Sequence, residues 1–142
     1  MKSILHRLEI NAPLEKVYEA ITTQEGLSGW WTPETKAKPE LGSIARFAFG
    51  PDYFKEMKIE ELKPPSRVKW LCVKGYKDWI GTTVTFELQS HEKGTLLFFH
   101  HDGWKEYTQG FAACSYDWAI FLRSLKFLCE TGKGLPYPNH YK

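Results

Sequence analysis

The chain has 142 residues, 42% hydrophobic and 25% charged, which is ordinary for a globular protein and excludes disorder, collagen and coiled coil as its main class. Area scaling gives about 7,500 Å² exposed after folding, with roughly two-thirds of the unfolded surface buried, so one sizeable core forms and no second, cofactor-binding domain fits. Nineteen basic against seventeen acidic side chains leave a net charge of +2, too small to steer the chain onto nucleic acid or an anionic membrane. Residues 3–10 alternate in polarity and predict a first strand. Pro13 at a first helical position, Glu15 in the first turn, and Leu14, Val17, Tyr18 and Ile21 on one face predict an amphipathic helix. A second short helix over about 24–30 ends at Trp30 and Trp31 and is weakened by Gly26 and Gly29.

Strand signals follow. Leu41-Gly42 leads into a strand from Ile44 to Phe49, and residues 53–62 form another, ended by Pro64-Pro65. Val68, Trp70 and Cys72 alternate with Lys69, Leu71 and Val73. In 82–89, Val84, Phe86 and Leu88 share one face and Thr83, Thr85 and Glu87 the other. His91-Glu92-Lys93-Gly94 is a hairpin turn, and 95–101 is apolar on both faces until the histidines. Short turns between consecutive strands imply an antiparallel sheet. A helix over roughly 106–131 closes the chain, with an apolar stripe through Phe111, Cys114, Ser115, Trp118, Phe121, Leu122, Leu125 and Leu128, and Gly132 and Gly134 to stop it. About 25 helical residues span roughly 38 Å, so the expected fold is α+β: a curved antiparallel sheet of about six to seven strands wrapped around one long helix, in a single domain over 1–142.

Cys72, Cys114 and Cys129 are odd in number, lack Cys-x-x-Cys spacing and sit among apolar neighbours, so reduced thiols are expected. The start lacks a long apolar stretch and no apolar run reaches membrane-spanning length, so no signal peptide, no membrane span and a cytoplasmic location are expected.

Ala12-Pro13-Leu14-Glu15-Lys16-Val17-Tyr18-Glu19-Ala20-Ile21, followed by Gly26-Leu27-Ser28-Gly29-Trp30-Trp31, resembles the opening of the START-like (SRPBCC, birch-pollen-allergen-like) superfamily. More narrowly it resembles the branch named for the C-terminal domain of the heat-shock-protein-90 ATPase activator. Glu61-Leu62-Lys63-Pro64-Pro65-Ser66-Arg67-Val68 looks like that branch's double-proline turn. Thr83-Val84-Thr85-Phe86-Glu87-Leu88 with Gly94-Thr95 looks like its long hairpin, and His101-Asp102-Gly103-Trp104 like its corner before the last helix. The resemblance implies a helix-grip fold with a cavity between sheet and long helix. Members include lipid carriers, plant hormone receptors, aromatic polyketide cyclases and the co-chaperone domain. No shared catalytic residues carry over.

Catalytic and metal signals are weak. His100 and His101 are adjacent on a strand, so they point to opposite faces and do not chelate together. Gly26-Leu27-Ser28-Gly29 lacks nucleophile-elbow spacing, Cys114 lies on the helix's apolar stripe, and no phosphate-binding glycine loop is present. No metal or cofactor is expected. By strand parity His101 follows Leu97 and Phe99 inward. It either bonds a ligand or acts as a base in the cavity, or is a structural histidine bonding the Gly103-Trp104 corner, and the structural reading is preferred.

Aromatic residues are 15% of the chain, more than a tight core requires, which favours an apolar cavity. The sheet is expected to line it with Phe47, Phe49, Tyr53, Met57, Trp70, Phe86 and Phe99. Trp31, Trp79 and Trp104 would add rings from connecting segments, with Ser115, Trp118 and Leu122 on the helix and His101 where the cavity narrows. Tyr116 and Tyr107 are further candidates, while Arg46 has the parity of a solvent-facing residue. The loop at Trp30-Trp31 and the Gly103-Trp104 corner are candidate lids. The expected function is binding of a small apolar or aromatic molecule. The alternatives are a co-chaperone-like interaction module, for which Leu96 and Phe98 supply outer-face apolar groups, and a cyclase or dehydratase using His101. A protein partner or a homodimer stays open.

Overall fold

The computed structural model describes residues 2–142. In chain order the elements are β1 (Lys2–Ile10), α1 (Leu14–Thr22), α2 (Gln24–Trp30), β2 (Glu34–Lys36), β3 (Ile44–Ala48), β4 (Phe54–Lys63), β5 (Arg67–Lys74), β6 (Thr83–His91), β7 (Gly94–Trp104) and α3 (Gln109–Thr131). The strands form one antiparallel sheet in the order β1-β7-β6-β5-β4-β3-β2, with α3 across its concave side. This is the expected α+β helix-grip architecture, and its exposed area of 7733 Å² is close to the scaling value.

Alternation decides which side chains meet the helix. In β6, Val84, Phe86 and Leu88 are buried and Glu87 is exposed; in β7, Leu97, Phe99 and His101 are buried while Phe98 is exposed. In β3, Ala45 and Phe47 are buried and Arg46 faces solvent. Tryptophan and phenylalanine rings from these strands interlock: Trp31 lies 4.5 Å from Phe47, Phe86 lies 5.0 Å from Trp70, and Phe99 lies 4.6 Å from Trp118, centroid to centroid. Such pairs add about 0.5–1.5 kcal/mol each beyond the area they bury.

Strand ends shift by up to three residues from expectation, and two helix starts and one short strand differ for reasons the structure shows. Helix α1 begins at Leu14, with Pro13 as its uncapped N-cap, one residue later than its proline suggested. Helix α3 begins at Gln109 rather than near 106, because the Thr108 side chain accepts a hydrogen bond from Phe111 N at 3.0 Å and sets the cap there. The short strand β2 was not expected; it carries one buried residue, Thr35, and exists through pairing with β3. Gly132 (φ +88°) ends α3 in the left-handed conformation, as its position after the apolar stripe predicts.

Neither proposed lid is loose. Trp30 and Trp31 are 0% and 2% exposed and Trp104 is 4% exposed, so all three anchor the core. Beyond α3 the chain doubles back along the helix. Leu135 N donates to Ser124 Oγ (2.7 Å) and Tyr137 N to Trp31 O (2.9 Å), which lays the final segment over the end of the sheet. Among the described residues no helix is long and apolar enough to cross a membrane.

Candidate functional site

The rings do not fill the whole space between sheet and helix. One pocket of about 400 Å³ opens between the β3–β4 end of the sheet, the first half of α3 and the final segment. That is within the usual range of about 300–1,000 Å³ for small-molecule sites. Trp31, Trp79 and Trp118 form its inner wall. Trp79 and Trp118 are stacked at 5.8 Å and 25°, and Trp31 meets Trp118 at 5.1 Å. Phe49 and Lys55 flank them from the sheet, Cys114, Asp117 and Phe121 come from α3, and Tyr137, His140 and Tyr141 come from the final segment.

The tryptophan wall is held from behind by His101. Trp118 Nε1 can only donate, and it donates to His101 Nδ1 at 3.1 Å. Nδ1 is therefore the acceptor, and the proton sits on Nε2, which donates to Thr82 Oγ1 at 2.8 Å. The Thr82 hydroxyl in turn donates to Trp79 O at 2.5 Å. Every member of this chain is satisfied with a neutral imidazole. Burial, reinforced by the positive Lys55, pushes the His101 pKa down to about 3. His101 is inward, as strand parity predicts, and structural, but its partners are Thr82 and Trp118. It touches the Trp104 corner only as a ring, at 4.9 Å. Both ring nitrogens are used, so it has no free site with which to act as a base.

Lys55 is the unusual group. Its Nζ lies 4.3 Å from the ring centroid of Phe49, 4.4 Å from Trp79, 4.9 Å from Tyr53 and 5.7 Å from Trp31. Ring faces attract a cation over such distances. Burial pulls its pKa down to about 8, against the opposing influence of Cys114, Cys72 and Asp117. Burial also holds the Cys114 thiol up to about 12, so it is protonated and a poor nucleophile, as its place on the apolar stripe predicted.

Four of the predicted lining residues meet in this pocket: Trp31, Phe49, Trp79 and Trp118. Phe47, Trp70, Phe86 and Phe99 form the ring layer behind them, and Met57 and Leu122 are buried in the same core. Trp104 packs behind Trp79 at 6.5 Å, with His101. Tyr53 caps Lys55, and its hydroxyl accepts from Tyr76 N at 3.2 Å. Ser115 is half-buried, and its carbonyl accepts from His6 Nε2 at 3.1 Å. Tyr107 and Tyr116 are exposed.

Lys55, Asp117, Phe121, Tyr137, His140 and Tyr141 were not anticipated as pocket residues. A signal existed for Lys55, which shares the parity of buried Met57 and Ile59 in β4. Another existed for Asp117, which shares a helix face with Cys114 and Phe121. His100, on the opposite face to His101, has both ring nitrogens on carboxylates, Asp102 Oδ2 at 2.6 Å and Glu87 Oε1 at 2.8 Å. Among the described residues no group of three or more His, Cys, Asp or Glu is placed to hold a metal ion.

A seven-stranded curved sheet gripping a long C-terminal helix, with two short helices after the first strand, defines a START-like protein. Within that class the chain belongs to the Activator of Hsp90 ATPase homolog 1-like family, whose sequence model matches residues 11–130. It is similar to Aha1 of Colwellia psychrerythraea, solved in solution as a dimer: 38% identity over 94% of this chain and 100% of that one, TM-score 0.87. A protein from Mesorhizobium loti (18% identity, 89% of this chain and 96% of that one, TM-score 0.80) shares the fold. So does CalU16 from Micromonospora echinospora (23% identity, 92% of this chain and 77% of that one, TM-score 0.73). No match is found among curated proteins.

Proposed function

We propose that the protein reversibly binds a small, flat, apolar or aromatic molecule in the pocket between the sheet and α3. The observation that carries this reading is the open space of about 400 Å³ against Trp31, Trp79 and Trp118. The His101–Thr82 hydrogen-bond chain fixes the Trp118 ring through its Nε1 and the Trp79 backbone through its carbonyl. Rigid rings lose little entropy on binding, so most of the energy of desolvating a flat ligand is retained. The helix-grip fold of the family supports the same reading. The neutral, fully bonded His101 weighs against catalysis through that residue.

The test is a thermal-shift screen of aromatic and aliphatic compounds on the intact protein and on Ala113→Trp. Ala113 is exposed and lines the mouth, so a tryptophan there blocks the pocket without entering the core. A ligand at 100 times its Kd adds about 2.7 kcal/mol of stability. Hits that vanish in Ala113→Trp support the reading; the absence of any hit, or hits indifferent to the block, overturns it. Self-association is a second reading. It is favoured by exposed Leu5 and Phe98, which lie on one outer face of the paired strands β1 and β7, and by the dimeric Colwellia relative; light scattering decides it.

A further inference from the structure

Lys55 is the polar feature that the fold leaves unanswered. Strand parity turns it toward the core, with Met57 and Ile59. Phe49, Trp79 and Tyr53 hold the ammonium against their rings. The rings attract the cation through their negative faces but offer no oxygen to its three N–H groups. Among the described residues no acceptor bonds it and no carboxylate pairs with it. The Asp117 carboxylate, on α3, is engaged by the Tyr141 hydroxyl instead. A second polar atom in the same pocket also lacks a partner. His140 is 8% exposed, stacked 4.3 Å from Phe121 and tilted 4.2 Å from Tyr141, and its buried Nδ1 has no hydrogen bond. Lys55 is half-buried, so solvent serves its ammonium until a ligand displaces it, whereas His140 Nδ1 is buried and has forfeited hydration without compensation.

The complement of this surface is flat and apolar over most of its area and anionic at one end. We infer that the pocket selects aromatic monocarboxylates, and that Lys55 binds the carboxylate. This rests on the ligand-binding reading above and narrows its ligand class. The charge state of the surroundings supports it. Facing Lys55 are Cys114 and Asp117 from α3, Cys72 from β5, Tyr53 from the β3–β4 turn, His101 from β7, and His140 and Tyr141 from the final segment. Asp78 stands beside Gly110 at the rim. Burial pushes the Cys114 thiol to about 12 and the Cys72 thiol to about 11, and the bond to Asp117 pushes the Tyr141 phenol to about 12. None of these carries charge near neutrality. Asp117 is then the negative group opposite the ammonium, and it disfavours a second negative charge on the ligand. With a pKa of about 8, Lys55 is mostly protonated at neutral pH and loses its charge just above it.

The experiment is calorimetric titration of the intact protein with 2-naphthoate and with its neutral amide, 2-naphthamide. It is run at pH 7 and pH 9.5 on the natural sequence, Lys55→Met and Lys55→Arg. At pH 7 naphthoate is expected to bind at least tenfold tighter than naphthamide. That preference should disappear in Lys55→Met, which leaves naphthamide affinity within about threefold, and persist in part in Lys55→Arg. It should also shrink in the natural sequence at pH 9.5. Equal binding of the two compounds, or a preference that survives Lys55→Met, overturns the carboxylate assignment and leaves the pocket reading standing. Failure of both compounds to bind, together with a blank thermal-shift screen, removes the pocket reading and this inference with it. If Lys55→Met does not fold, the pH series on the natural sequence decides the matter.

Discussion

Two side chains at the pocket illustrate opposite solutions to burying a polar group. His101 gives up its charge, and each of its nitrogens then has a partner, Trp118 or Thr82. Lys55 keeps its charge at neutral pH and has aromatic faces in place of oxygen acceptors. The difference has a sign that can be measured. Lowering the Lys55 pKa from 10.5 to about 8 means that folding favours the neutral amine. Its contribution is therefore fully present above about pH 10.5 and lost as the pH falls through 8, so at pH 7 the ammonium is a burden on the fold. Allowing for solvent reaching Nζ through the mouth, that burden is on the order of 2 kcal/mol. Lys55→Met is accordingly expected to be more stable than the natural sequence in urea unfolding at pH 7, with the gap closing towards pH 10.5. A methionine variant less stable at pH 7 would refute this account of Lys55. A gain in stability coupled to a loss of ligand selectivity is the trade-off common to binding sites.

At the scale of elements, α1 and α2 meet at a glycine. A Cβ on Gly26 would lie 2.6 Å from Ala20 Cα, and Trp30 Nε1 donates to Ala20 O at 2.8 Å across the same contact. Alanine would favour the α2 helix by about 1 kcal/mol over glycine. Backbone against backbone cannot yield without separating the helices, a cost of about 1–3 kcal/mol. The packing term wins, so Gly26→Ala should lower the urea midpoint with an unchanged slope; a raised midpoint would show that the two helices part freely. Gly26, which the sequence marks as weakening α2, is thus the residue that lets it dock on α1.

Strands β5, β6 and β7 and the long helix were legible because alternation and a helical stripe record one-sided burial directly. Strand β2 was not, since one inward Thr35 makes no pattern. In the site, Trp31, Phe49, Trp79 and Trp118 were legible as bulky apolar groups in the right places. Lys55 was concealed by its own charge in a charge-rich strand. Tyr137, His140 and Tyr141 were invisible because the final segment has no period. Contacts distant in sequence place it, with Tyr137 N on Trp31 O and Leu135 N on Ser124 Oγ.

Three histidines give the whole molecule a shared response to acid, beside the carboxylates of Glu61, Asp102 and Glu130, whose pKa values are also lowered. His6, His101 and His140 all have lowered pKa values with burial as the leading cause, so each is held neutral by folding and takes up a proton on unfolding. The sign is common to all three. Their contribution is complete above about pH 6.5 and drains away as the pH falls towards the folded-state value, which for His101 is about 3. His101, fully buried, accounts for on the order of 4 kcal/mol of this loss, against a total stability of about 5–15 kcal/mol for a domain. Protonation also places an Nδ1–H against Trp118 Nε1–H, two donors facing each other, so the tryptophan wall should loosen together with the fold. Urea unfolding followed by tryptophan fluorescence at pH 7, 5.5 and 4.5 tests this, with His101→Gln as the partner variant. Glutamine retains a donor and an acceptor but cannot titrate. The natural sequence should lose stability steeply across this range, and His101→Gln should start lower and fall more gently. Parallel declines would mean that His101 is not the group through which acid reaches the core.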